Sequence, residues 1–577
     1  MLELIPYYFL TLMLLYVYGI LPFLFFKQAL PNNPFTILII GFPVTGFIGM
    51  LCWLITPINS FCFYAIYLVA LIIVLLRYPY FSASIKKLFD WIRQQTVFEK
   101  VGIALLLVPI LYQSAQASKI NDMGMYYLQT IKWMHSYGIV KGLANLHPAL
   151  GLGSAWHSLV VLFDPSATGL AQKWQLNGIL VLVFILFHWY ESHNSSSIYL
   201  KVTFLLTIPL SFLYLTAPSP DLPLLLLSSI LFYWVCFKSN NLHTGILLLL
   251  GVFLFACKPP AFIGVILTLI IFIKKIPSNK KIQFILAGII LTAPVIYKNY
   301  ILSGYLLYPY NKPDVVNVKW KVPGDWNEAY RKGIISWGLN DKTDKKTLVQ
   351  IKYSGKDRLS IWLSRKGYKG IMNKLIFLSF LTGLILLLTE PLRKNKAYLK
   401  LPYFLLALLL IISFIEWLML SQYRLLLPSA LVLSGLNCHF LFLRFNFTNR
   451  NKIQPLFNTN KIIVYTNILF IMMAFVPFDI FSKESRNKDI TQSEGFNKHY
   501  LISPFSGFIN QKTDSILLGS MYIYYYPEKT YCWDCKMPCV SYSHRNYLLS
   551  NFGYRLQPLG SETNDGFMLI FGADTKK

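Results

Sequence analysis

Charge is scarce in this 577-residue sequence, at 14% of positions, and acid is scarcer still: 25 Asp and Glu stand against 53 Lys and Arg, for a formal net charge of +28. A chain that is 55% hydrophobic with a mean hydropathy of +0.50 is too apolar for a soluble protein of this size. The class left is a polytopic membrane protein. The basic excess invites a nucleic-acid reading, but no basic run is interleaved with a nucleic-acid motif. The charges sit between apolar segments, where membrane topology accounts for most of them. A dinucleotide fingerprint and a phosphate loop are both missing, so no nucleotide cofactor and no soluble nucleotide donor is expected. Internal repeats and low-complexity tracts are missing too. The first apolar run, 5–26, has neither a basic leader nor a small-residue cleavage site behind it, and reads as a span, not a removable signal.

What is present is a series of apolar runs that predicts about fourteen transmembrane helices, the last at 461–480. The pair 243–257 and 260–273, hinged at Pro259 and Pro260, is a hairpin whose loss would leave the remaining topology unchanged. Basic residues in one alternate set of short connections number about twenty, against about six in the other set, which orients the chain with the first set in the cytoplasm. Residues 311–370 carry fourteen Lys and Arg against six Asp and Glu, but charge in loops of this length orients weakly. The expected architecture is an all-α membrane protein with amphipathic helices on the outer side of the membrane, plus a small α/β domain at the C-terminus. Its parts are N-terminal helices with a cytoplasmic loop (1–100), a core of spans (101–303) holding juxtamembrane helices at 123–163, a long Trp-rich outer loop (304–370), further spans (371–481) and an outer C-terminal domain (482–577). SILLGSMYIYYY and DGFMLIFG in that last part alternate as strands do.

The stretch 119–157 concentrates polar chemistry at the expected outer surface. Met125, Leu128, Ile131 and Met134 form a helical stripe suited to a membrane interface, flanked by Tyr126, Tyr127, Trp133 and Tyr137. Asp122 precedes it and reads either as a helix N-cap or as a general base or metal ligand. Asn145, His147 and His157 gather nearby, which favours the second reading. Asp221, in APSPD, is again an N-cap or an acid able to share a proton or a metal with Asp122. Lys258 in CKPPA and Arg424 in SQYR either snorkel from helix ends or clamp a phosphate. Glu416, deep in an apolar run, is a partner for such a cation or part of a site. His147 and His157 stand ten residues apart, which is not the spacing of a helical zinc pair. In CWDCKMPC, the thiols Cys532, Cys535 and Cys539 fit one disulfide plus a spare thiol more simply than a zinc site completed by His544.

NDMGMYYLQTIKWMHSYGIVKGLANLH, APSPD, YKNYILSGYLLYPY, SQYR and CWDCKMPC, in that order from about residue 101 onward, resemble the GT-C superfamily of membrane glycosyltransferases, and look specifically like a bacterial branch of it. The first three spans are then an addition to the usual core. The resemblance implies transfer of a sugar from a polyprenyl-phosphate donor to a glycan, lipid or protein acceptor on the periplasmic side of a bacterial inner membrane, commonly with inversion; no nucleic-acid partner is expected from the charge pattern. It implies that Asp122 matches the first-loop acid that activates the acceptor or organises the site, and that Asp221 matches the second-loop acid. Lys258 and Arg424 become phosphate contacts, and Asn145, His147, His157 and Glu416 further substrate-binding candidates. Some members use a divalent metal and others do not, so the metal stays open. Two rivals stay open as well. A flippase of lipid-linked sugars would place ionisable groups near the bilayer midplane. A polymerase or ligase of lipid-linked glycans would depend on loop arginines such as Arg331, Arg358 and Arg365.

Overall fold

Long apolar stretches satisfy their backbone in a membrane only as helices, and the computed structural model is mostly helical. It describes residues 1–118, 120–168, 173–194, 197–238, 242–258, 262–339, 355–389, 400–444, 498–505, 512–519, 521–527 and 531–571. The helix pair α1 (Leu4–Phe25) and α2 (Phe35–Ile55) packs backbone to backbone. A Cβ on Gly19 would fall 2.0 Å from the Ile37 carbonyl oxygen, and one on Gly41 2.1 Å from that of Leu15, so both positions need glycine. Helix α3 (Ser60–Leu76) breaks by 93° into α4 (Tyr78–Gln94). On α4, Phe81 and Ser84 are buried while Ile85, Phe89 and Ile92 are exposed, the arrangement of a helix lying along a membrane surface. Helix α5 (Val97–Ala115) opens on a capping box formed by Thr96 and Glu99.

The middle of the chain is built around short helices: a π-turn at Met123–Tyr127, α6 (Leu128–Ser136), α7 (Leu143–Leu146) and α8 (Ala155–Leu162). Then come α9 (Leu176–Asn194), α10 (Ile198–Tyr214), α11 (Asp221–Cys236), α12 (Thr244–Cys257), α13 (Ile263–Lys275) and α14 (Lys281–Ser303). The long loop holds α15 (Gly324–Leu339) and α16 (Gly355–Ser364); α17 (Gly367–Thr389), α18 (Lys400–Leu420) and α19 (Tyr423–Arg444) follow, α19 packing on α10, α11, α17 and α18. At the C-terminus, β1 (Asp514–Leu518) pairs antiparallel with β2 (Met521–Tyr525), and after α20 (Tyr542–Phe552), β3 (Tyr554–Pro558) pairs antiparallel with β4 (Phe567–Phe571). Both alternating segments named from the sequence are thus strands.

Seven described helices are long and apolar enough to cross a membrane, or eight if α3 and α4 count as one bent span. Among the described residues the expected fourteen are not reached. The run 461–480 and the hinge at Pro259 and Pro260 lie outside the described residues. The helices at 176–192, 198–212, 221–236 and 244–257 are shorter than a perpendicular crossing needs. Helix α11 is buried at every residue from Asp221 to Val235, so its apolar surface faces protein on all sides. The interfacial stripe at 125–134 is corrected in the same way. Leu128, Ile131 and Met134 are buried and Met125 half-buried, so the stripe is covered by protein, with α6 packing on α8. The connection 77–100, expected as a loop, is largely α4.

The ends of the molecule are fixed by the segment 498–505. Leu2 donates its N–H to the Leu501 carbonyl (3.1 Å) and Phe505 donates to that of Ala115 (2.8 Å), so the start of α1 and the end of α5 lie together. Asp122 follows immediately, placing it at the end of the bundle opposite Phe25.

Candidate functional site

Four charged side chains from distant parts of the sequence meet at this end. Asp122 stands at the start of the π-turn, but its carboxylate makes no capping bond. It accepts instead from Arg424 Nη1 at 2.5 Å, with a longer contact from the Tyr127 hydroxyl at 3.4 Å. Asp221, in the first turn of α11, accepts from Lys258 Nζ, and its Oδ2 lies 3.9 Å from Arg424 Nη1. Arg424 thus bridges both acids. The two N-cap readings are corrected: Asp221 benefits from the positive end of α11, but neither side chain caps a helix; one oxygen of each carboxylate bonds a cation, and Asp221 Oδ2 is buried without a hydrogen-bond partner among the described residues.

Each member is held by a neighbour that the sequence gives little reason to select. Trp156 Nε1 donates to Asn177 Oδ1 (2.8 Å), and Asn177 Nδ2 donates to the carbonyls of Tyr214 (2.9 Å) and Ser219 (3.3 Å), which fixes the turn carrying Asp221. The Ser219 hydroxyl in turn meets that of Tyr127 at 3.2 Å. Ser154 Oγ donates to the Cys257 carbonyl (2.8 Å), pinning the end of α12 beside Lys258. Burial lowers the Lys258 pKa, opposed by the Asp221 carboxylate. Arg424 Nε donates to Gln422 Oε1 (3.0 Å), and Gln422 Nε2 reaches the Ile334 carbonyl on α15 (2.8 Å). The Arg424 Nη2 group has no hydrogen-bond partner among the described residues, and the side chain is 27% exposed. Burial, reinforced by neighbouring Asp122, holds the Tyr126 phenol well above its usual range; for Tyr127 the causes are burial, then Tyr126, then Asp122. Both stay protonated donors. Tyr330 on α15, raised by burial and then by Asp122, brings the long loop into electrostatic reach of the cluster.

The other sequence candidates divide. His157 belongs to the wall of the site, its ring 4.9 Å from that of Tyr127. His147 turns elsewhere: Nδ1 accepts from Ala149 N–H at 3.2 Å, and the ring lies 5.0 Å from that of His544, tilted by 45°, while Trp326 lies 5.6 Å from His544. Asn145 is a structural clamp, its Nδ2 donating to the carbonyls of Trp320 (2.9 Å) and Phe567 (3.0 Å), and so tying long loop and C-terminal strand to α7. Glu416 is fully buried and accepts from Phe262 N–H (3.1 Å) and from the Ser429 hydroxyl. It caps α13 and touches none of the four charges. Among the described residues no group of three or more His, Cys, Asp or Glu could hold a metal ion.

Burial lowers His147 to about 4 and His157 to about 3, from the usual 6.5. Both folded values lie below the unfolded one, so the unfolded chain takes up protons that the folded chain refuses. Their contribution to stability is complete above about pH 6.5 and is lost progressively as pH falls through about 4 for His147 and about 3 for His157. Thermal unfolding at neutral pH and at about pH 5 should show that loss, and His147→Asn, which keeps an acceptor for Ala149, should flatten the pH slope; an equal slope in the variant would remove His147 from the account.

The C-terminal domain docks directly on this region. Cys532 and Cys539 form a disulfide and Cys535 is a buried free thiol, its pKa pushed up to about 11 by burial. The loop they shape lies on the π-turn and α6: Trp533 N–H donates to the Gly124 carbonyl (2.9 Å), Gln129 Nε2 to Trp533 (2.8 Å) and Cys535 (3.1 Å), and Lys132 Nζ to Asp534 (2.7 Å) and Cys535 (2.8 Å). A Cβ on Gly124 would fall 2.1 Å from the Trp533 ring. Gly124→Ala is therefore expected to weaken docking by about 1–3 kcal/mol, seen as faster proteolysis of the tail in the folded protein. Cleavage at the wild-type rate would count against this contact.

A family model described as "Domain of unknown function (DUF8201)" matches residues 1–431. No curated protein and no solved structure matches the chain.

Proposed function

The chain belongs to the DUF8201 family, and we propose that it is an integral membrane glycosyltransferase of the GT-C kind, moving a sugar from a polyprenyl-phosphate donor to an acceptor hydroxyl at the membrane surface where Asp122 lies. The observation that carries the reading is the Arg424 guanidinium, bridging Asp122 and Asp221 beside Lys258 with Nη2 unengaged among the described residues. A cluster of this kind, at the ends of α5, α11, α12 and α19, suits a lipid phosphate held at the border of membrane and water. We place that surface on the periplasmic side, following the basic short connections.

In this reading the donor phosphate enters beside Arg424 and Lys258. Asp122 takes the proton of the acceptor hydroxyl as its oxygen attacks the anomeric carbon. The bond from that carbon to the phosphate oxygen breaks, and its electron pair leaves on the polyprenyl phosphate. Arg424, with a planar fork suited to phosphate oxygens, and Lys258 stabilise the charge that develops there. Tyr127 and Ser219 position Asp122 and Asp221. Helix α15, through Gln422 and Tyr330, covers the site against water that would hydrolyse the donor.

The loop arginines support this choice over a polymerase or ligase dependent on them. Arg331 is paired with Glu328 (2.7 Å), Arg358 donates to the Trp417 carbonyl (2.8 Å), and Arg365 to that of Gly338 (2.8 Å). Arg331 closes an ion pair within α15, while Arg358 and Arg365 hold helix ends together. Photocross-linking with a polyprenyl-phosphate probe reactive near its phosphate tests the placement. Labelling of peptides around Asp122, Lys258 or Arg424, reduced in Arg424→Gln, is expected. Labelling confined to lipid-facing helices would refute the site.

A further inference from the structure

A second feature lies at the other end of α1, about 33 Å away along its 22 residues. There a cavity of about 560 Å³ opens between the end of α1, the turn that follows it, and α4. Its shape is fixed by polar contacts within its walls. Tyr80 donates to the Gln28 carbonyl (3.3 Å), the Tyr16 and Ser84 hydroxyls are bonded to each other, and Gln28 Oε1 accepts from His243 N–H (2.8 Å). Two cations line it from opposite walls: Lys27, in a left-handed conformation (φ 50°) at the end of α1, and Lys87 on α4. Both are exposed, and neither has an acidic partner among the described residues.

The depth of the cavity follows from α4. That helix lies at 93° to α3 with Phe81 and Ser84 against the protein, and Ile85, Phe89 and Ile92 bare on an adjoining face. Three bare apolar side chains on a basic helix bent away from its span belong in the acyl boundary of a membrane. Lys87 and the cavity mouth then sit at headgroup level. The floor is apolar, from Phe23, Leu24 and Leu30. Unengaged cations at the rim with an apolar floor match a molecule that is anionic at one end and hydrocarbon at the other.

We propose that this cavity binds an anionic phospholipid from the leaflet at that end of the molecule, with Lys27 and Lys87 holding its phosphate from two sides and the apolar floor taking the first part of its acyl chains. The site is independent of the proposed sugar transfer: it lies at the opposite end of α1 and uses none of the same residues. A free phosphate ester would share the lysines but gain nothing from the floor.

Native mass spectrometry of the full-length protein in mild detergent tests it, titrating phosphatidylglycerol, phosphatidylcholine and glycerol 3-phosphate in separate arms. Saturable retention of phosphatidylglycerol is expected, about tenfold or more tighter than phosphatidylcholine. Since each lysine near a membrane surface contributes roughly a fivefold factor, Lys27→Gln with Lys87→Gln should weaken it by about 10- to 30-fold. Ala83→Trp, which fills the cavity from an exposed wall position and leaves the charges in place, should abolish retention. Lys274→Gln with Lys275→Gln, at the end of α13, should leave it unchanged. Equal retention of phosphatidylcholine, or wild-type binding in both the double lysine variant and Ala83→Trp, would overturn the proposal. Glycerol 3-phosphate binding as tightly as the lipid would overturn it too, making this a site for soluble anions.

Discussion

Asp122→Asn is expected to lower sugar transfer by about 10²–10⁴-fold, the usual contribution of a positioned general base, while the protein keeps its fold and its donor. The substitution keeps the shape of the side chain and an oxygen for Arg424 to reach at 2.5 Å, so the cluster loses a charge without losing a contact. That separates chemistry from architecture. If Asp122 only anchored Arg424, the amide would anchor it nearly as well, and turnover would change little. Single-turnover rates at saturating donor decide between the two, because they exclude differences in binding. A rate within a few-fold of wild type would reduce Asp122 to a structural partner.

Lys258→Met is expected to destabilise the protein strongly, with Asp221→Asn in the same chain restoring most of the loss. Asp221 is 3% exposed and Lys258 12%, so removing the cation leaves a nearly buried carboxylate with only Arg424, 3.9 Å away, to offset its charge. Breaking one side of a buried pair costs about 3–5 kcal/mol. Partial exposure of the lysine and the nearby arginine argue for the lower part of that range. Neutralising both partners removes the stranded charge. Thermal unfolding of the single and double variants in detergent measures this, and a single variant as stable as wild type would mean that Asp221 is solvated.

The four charges stand out in the sequence for a physical reason. An ionisable residue at the edge of an apolar run is costly to keep, and Asp122, Asp221, Lys258 and Arg424 all sit at such edges. Their pairing does not stand out, because it depends on how α5, α11, α12 and α19 pack, and 302 residues separate Asp122 from Arg424. Tyr127 and Ser219 were hidden for a different reason: tyrosine beside a span reads as an interface anchor, and nothing local tells an anchor from a donor aimed at a carboxylate. Asn145 and Glu416 looked like site residues because each is polar among apolar neighbours. Each instead satisfies backbone groups of a distant segment, Trp320 and Phe567 for one and Phe262 for the other. The number of spans is less legible, because hydropathy measures how apolar a helix is and cannot say whether lipid or protein covers it, and α11 is covered by protein.

The central claim is sugar transfer from a lipid phosphate, and the most direct measurement is product formation by purified full-length protein with a panel of polyprenyl-phosphate sugars, read by mass spectrometry of the lipid. The account predicts that at least one donor loses its sugar and leaves polyprenyl phosphate, and that Asp122→Asn and Arg424→Gln both suppress this. Intact donors throughout the panel, together with their movement across vesicles containing the protein, would contradict it and make the chain a carrier of such lipids.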